Sequence, residues 1–142
     1  MLNKSANPIP QGKYVPANRY GEFIYTAGMT PRVDGKLMLE GKVSAAYPLA
    51  YYRAAVRQAI INAFVAAKNM LQENEQIAKV LTMTVYVNAE DGYTDHTKLA
   101  DFASEYLWEE LGEAGIVSRA ALGVASLPGN APVEVQIVAA VK

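Results

Sequence analysis

With 142 residues, 51% of them hydrophobic, the chain has the size of one domain able to bury its own core. Thirteen basic against fourteen acidic residues leave a net charge of −1 with no long run of like charge, so a nucleic-acid partner finds no electrostatic footprint. The lack of cysteine excludes disulfides, thiolate nucleophiles and cysteine-bound metal, with the cytoplasm as the default compartment.

The opening stretch MLNKSANPIPQG lacks the apolar run of a secretory signal, so none is expected. Nowhere do about eighteen apolar residues follow one another, as a membrane span requires. A single domain over 1–142 is expected, in which residues 1–18, holding Pro8, Pro10 and Pro16, form an extended arm. Tyr14 lies on that arm. The β-rich core of GEFIYTAGMTP (Phe23, Ile24, Tyr25 and Thr26), closed by Gly28 and Pro31, predicts a first buried strand. Asp34-Gly35 is a turn dipeptide, so the flanking segments predict a hairpin.

Leu49, Tyr52, Val56, Ile60, Phe64, Ala67 and Leu71 recur every three or four positions and predict an amphipathic helix from about Pro48 to Glu73. Lys79 to Val87 is β-branched and almost wholly apolar, as expected of a central strand covered on both faces. After a loop over Asn88 to Tyr93, Thr94 or Asp95 can cap a second helix running to about Leu111. Its inner stripe is Leu99, Phe102, Ala103, Tyr106 and Leu107, and Gly112 and Gly115 end it. Residues 119–126 and 133–141 predict two strands around a Pro-Gly turn. The expected fold class is α+β, a mixed β-sheet with both helices on one face.

His96 is the single histidine, so a multi-histidine metal site is impossible. With Asp91 and Asp95 beside it, it reads more simply as a loop or cap residue. Phe102, Tyr106 and Trp108 read as core or subunit contact, and Arg53 with Arg57 as a solvated face rather than an anion grip. Arg119 and Glu134 differ, because each is an isolated charge in an apolar strand. Such a charge needs a partner, a ligand or an outward-facing position. A structural ion pair or an exposed edge would satisfy that need too. Paired as a simple hairpin, the two strands would set Arg119 and Glu134 roughly 20 Å apart. A site containing both would then join non-adjacent strands or different subunits.

The run SRAALGVASLPGNAPVEVQIVAAV resembles the C-terminal signature of the RidA/YjgF family of reactive intermediate imine deaminases. Arg119, the Leu127-Pro128 turn and Glu134 stand in that family's order, with its fifteen-residue step from arginine to glutamate, and GEFIYTAGMTP resembles its strand ending in Ser/Ala-Gly. The resemblance covers nearly the whole chain. It implies a chorismate-mutase-like α+β fold assembled as a homotrimer, with ligand clefts between subunits and no cofactor or metal. The implied reaction is hydrolysis of enamines and imines such as 2-aminoacrylate to 2-oxo acids and ammonia. By motif match, Arg119 would hold the substrate carboxylate as a bidentate partner and Glu134 would position or activate water. The backbone at Gly28 and the Tyr14 side chain would line the cleft. Ala121 stands where the best-known members carry a cysteine, and Thr97 near their cleft asparagine, departures that leave the carboxylate clamp in place. The alternatives are a carboxylate-binding protein without turnover and a ribonuclease, the latter disfavoured by the charge balance and the lone histidine.

Overall fold

A computed structural model describes residues 5–142. A five-stranded sheet runs in the order β1 (Ala17–Tyr20), β2 (Phe23–Thr26), β7 (Val133–Val141), β5 (Ile77–Asn88), β6 (Ser118–Val124), and a separate two-stranded ribbon pairs β3 (Arg32–Val33) with β4 (Lys36–Leu37). Residues 1–4 of the expected arm lie outside the described residues, and from Ala17 the arm is already a strand, β1 (Ala17–Tyr20). It pairs antiparallel with β2 (Phe23–Thr26), and Arg19 ties this edge to the turn that follows the first helix through a two-point ion pair with Glu75. β3 (Arg32–Val33) and β4 (Lys36–Leu37) form the predicted hairpin. Its turn residues Asp34 and Gly35 both have positive φ, 53° and 81°, as a two-residue type I′ turn demands.

The first helix begins with a 3-10 turn at Leu49–Tyr52 and continues as α1 (Arg53–Lys68). It ends five residues before the predicted boundary, where a turn at Asn69 and Met70 leads to a left-handed Asn74. Of its predicted stripe, Tyr52, Val56, Ile60, Phe64, Ala67 and Leu71 are buried and Leu49 is partly buried against them. α2 (His96–Leu111) follows β5 (Ile77–Asn88), with Asp95 at its N-cap position but making no side-chain cap bond. Arg53 and Arg57 are not a simple solvated face. They lie over the Phe102 and Tyr106 rings, and Arg57 also bridges to Glu109, so the two helices are tied together. Trp108, expected in the core or a contact, is 62% exposed.

Both helices pack on one face of the sheet, over Ile24, Met83, Val85, Val87, Val135 and Ile137, all buried. The other face is open along the single chain, carrying exposed Phe23, Tyr25 and Leu122. β5 is central, as expected, but covered on one face only: Thr82, Thr84 and Tyr86 look to the open side.

The main correction concerns the last two strands. β6 (Ser118–Val124) and β7 (Val133–Val141) do not form a hairpin. β6 pairs parallel with β5 on one side, and β7 pairs antiparallel with β5 on the other. The β5-α2-β6 crossover places β6 beside β5 in the same direction. β7 gains more by lying between β5 and β2, where its alternating Val133, Val135, Ile137 and Ala139 are buried. The connection therefore crosses the end of β5. The fully buried Asn88 holds it there, donating from Nδ2 to Asn130 Oδ1 and the Ala131 carbonyl and from its backbone N–H to the Pro132 carbonyl. Among the described residues, no helix is long and apolar enough to cross a membrane.

Candidate functional site

The strand order fixes where the two isolated charges go. Arg119 pairs with Met83, and Glu134 pairs with Tyr86 on the other side of β5. Three residues along and two strands across, at about 3.3 and 4.8 Å, put their Cα atoms roughly 14 Å apart. Because Met83 is buried under the helices and Tyr86 is on the open side, their partners also point to opposite faces. One chain cannot bring Arg119 and Glu134 together.

Arg119 reaches towards α2. Its Nη1 donates to Asp101 Oδ1 at 2.9 Å and Ser104 Oγ at 2.8 Å, and its Nη2 donates to the Thr97 carbonyl at 3.2 Å. Thr97 thus contributes its backbone rather than its side chain. Ala121, two residues on, is on the same face and half-buried against the core beside Val85. Neither Asp101 nor Ser104 is singled out by sequence, since a polar residue on a helix surface carries no sign of what lies opposite.

Glu134 is the contrasting case. Its side chain is half-buried and, among the described residues, meets no hydrogen-bond donor and no cation. Burial alone pushes its carboxyl above the usual carboxylate range. The carboxylate lies against the backbone of Gly28: a Cβ built there would stand 2.8 Å from Cδ of Glu134 and closer still to Oε2. Glycine is needed here for close approach, since its φ is not in the left-handed region. β2 is continued past Gly28 by a bridge between Met29 and Val135, which sets that backbone beside β7.

Gly28 also lines a cavity of about 260 Å³ that includes Tyr14, Arg32, Gln58 and Asn62. Tyr14 is half-exposed and accepts a hydrogen bond from the Gln11 backbone at its phenol oxygen. Glu134, Gly28 and Tyr14 are thereby grouped on one side of the chain, and Arg119 with Ala121 on another. Among the described residues no cluster of three or more His, Asp or Glu could hold a metal ion. His96 opens α2 against Tyr93 and under Gly123, where an added Cβ would stand 2.7 Å from its Nε2.

The family model described as "YjgF/chorismate mutase-like, putative endoribonuclease" matches residues 3–141. A Shewanella oneidensis structure described as a "putative endoribonuclease" is 28% identical, with 98% of this chain and 92% of that one covered at a TM-score of 0.86. An Agrobacterium tumefaciens protein of unknown function is 27% identical over 97% and 87% of the two chains, with a TM-score of 0.85. The Trypanosoma cruzi protein TCP17 is 28% identical over 131 residues, 92% of this chain and 82% of its own.

Proposed function

The chain belongs to the YjgF/chorismate mutase-like (RidA/YjgF) family, and on that premise we propose that it hydrolyses small 2-imino acids to 2-oxo acids and ammonia. The observation that supports this reading most is the half-buried Glu134 carboxylate seated on Gly28, which meets no partner among the described residues and whose pKa is raised by burial, as a general base requires. Water adds to the carbon of the protonated imine as Glu134 takes one of its protons, giving a neutral carbinolamine. Glu134 returns that proton to the amino nitrogen, and ammonia leaves as the hydroxyl proton passes to the Glu134 carboxylate, leaving the 2-oxo acid. An enamine such as 2-aminoacrylate enters after tautomerising to its imine.

The cation for the substrate carboxylate is Arg119 of a neighbouring subunit, because the geometry of one chain forbids the pairing. A homotrimer with three clefts satisfies that need. Exposed Phe23, Tyr25 and Leu122 on the open sheet face supply an apolar surface for it. In this reading the protein works in the cytoplasm, beside the enzymes that release such imines.

One observation favours a second reading, a carboxylate-binding protein without turnover: the Arg119 fork is engaged by Asp101, Ser104 and Thr97 of its own subunit. RNA cleavage, which the names of several comparisons carry, has less support from a chain of net charge −1 with one histidine. The test is ammonia and oxo-acid formation from freshly generated 2-aminoacrylate. Acceleration over solvent that is lost in Glu134→Gln supports the deaminase; no acceleration, with pyruvate still raising the melting temperature, supports the binding protein.

A further inference from the structure

Arg32 belongs to no ion pair among the described residues. Its Nη1 donates to the Gly35 carbonyl at 2.8 Å, which fixes one side of the guanidinium on its own hairpin turn. The opposite edge is different. Nε is buried, and among the described residues neither it nor Nη2 meets an acceptor. Nε and Nη2 form the side-on edge that holds a carboxylate through two parallel N–H···O bonds. A buried donor without an acceptor is costly and rare in folded chains, and a ligand oxygen would satisfy it.

The surroundings hold that edge in place. Asn62, itself 8% exposed, donates from Nδ2 to the carbonyls of Thr30 at 3.1 Å and Arg32 at 2.9 Å, and accepts from Gln58. This anchors the β3 backbone to α1. Gly129 of the crossing loop packs close against the guanidinium, since a Cβ there would stand 2.8 Å from Nη2. Asp34 lies at the rim of the cavity, exposed and not bridged to Arg32. Gly28 is shared: it lines the same cavity and supports the Glu134 carboxylate. Gly28 therefore links the cavity lined by Arg32 to the Glu134 carboxylate, which lies behind that glycine rather than in the cavity wall.

We infer that Arg32 is a specificity residue for substrates with an acidic side chain, so that the site takes 2-imino and 2-oxo dicarboxylates in preference to their uncharged counterparts. This rests on the deaminase reading only for turnover, not for binding. Arg119 of the neighbouring subunit would hold the carboxylate next to the reacting carbon, and Arg32 the distal one. A volume of about 260 Å³, below the range of drug-sized ligands, suits a chain of about four or five carbons.

Titration calorimetry of the full chain with 2-oxoglutarate and with 2-oxopentanoate, equal in length and differing in the distal charge, tests the inference. The dicarboxylate should bind at least tenfold more tightly. Arg32→Met should abolish that preference and leave 2-oxopentanoate binding within about twofold, and Arg32→Lys should restore part of it. Equal affinities in the wild type, or a preference that survives in Arg32→Met, would overturn it. The comparison of two ligands on the wild type stands even if a variant does not fold. Imines generated in situ from glutamate and norvaline separate the two readings. Selective binding without turnover leaves Arg32 assigned and removes the deaminase; turnover of both imines at equal kcat/KM, unchanged in Arg32→Met, does the reverse.

Discussion

Gly28→Ala adds one methyl group at the point where the backbone touches the proposed base. The new Cβ would stand 2.8 Å from Cδ of Glu134, against an ordinary contact of 3.4 Å or more. Because Oε2 would be closer still, the carboxylate must retreat on the order of 1 Å. The end of a glutamate side chain over an open face moves easily, and Gly28 has no positive φ, so stability should change by about 1 kcal/mol or less. Activity should respond very differently. Misplacement of a reacting group by about 1 Å costs about a hundredfold, equivalent to ~2.7 kcal/mol of transition-state stabilisation. The assay is kcat/KM for 2-aminoacrylate hydrolysis, with the melting temperature as control. A variant folded like the wild type but about a hundredfold slower is expected; a variant equally folded and fully active would refute the role given to this contact.

Glu134→Gln should raise the melting temperature at neutral pH. The folded-state pKa is raised by burial, so this group's contribution to stability is fully present below its unfolded pKa and is lost as pH rises through the folded one. The gain from the amide should therefore vanish in acid, which a pH series of melting curves checks. Asp101→Asn should lower KM for the imino acid by freeing the Arg119 fork, with a stability change below about 1 kcal/mol because the Asp101 side chain is mostly exposed. Steady-state kinetics reads the first effect and chemical denaturation the second. Asn62→Ala should cost about 2–3 kcal/mol by denaturant unfolding, since it leaves the Thr30 and Arg32 carbonyls without their shared donor. Gly115→Ala should cost a similar ~1–3 kcal/mol, because its Cβ would stand 2.6 Å from the Leu107 carbonyl carbon, a rigid backbone atom.

The elements were legible wherever local pattern decides structure. The Val56, Ile60, Phe64 stripe, the Asp34-Gly35 turn and the second helix ending at Leu111 all follow from periodicity or turn chemistry. Pairing was not legible, because the Pro128-Gly129 turn looks the same whether it closes a hairpin or carries the chain across β5. Asn88, which holds that crossing, reads in the sequence as an ordinary loop residue. Arg119 and Glu134 stood out as isolated charges, yet the sequence did not separate their situations. One is satisfied by Asp101, and the other meets no partner among the described residues. Arg32 gave no signal, since a basic residue beside a turn is common on any surface and its vacant edge exists only in three dimensions.

A complementation experiment addresses the central claim that Arg119 of one subunit and Glu134 of another make one site. Arg119→Ala and Glu134→Gln proteins, each inactive alone, are mixed by joint refolding so that subunits exchange. Random assembly should leave roughly a quarter of clefts with both wild-type residues and return a matching share of wild-type activity. A mixture that exchanges subunits and stays inactive would contradict the claim.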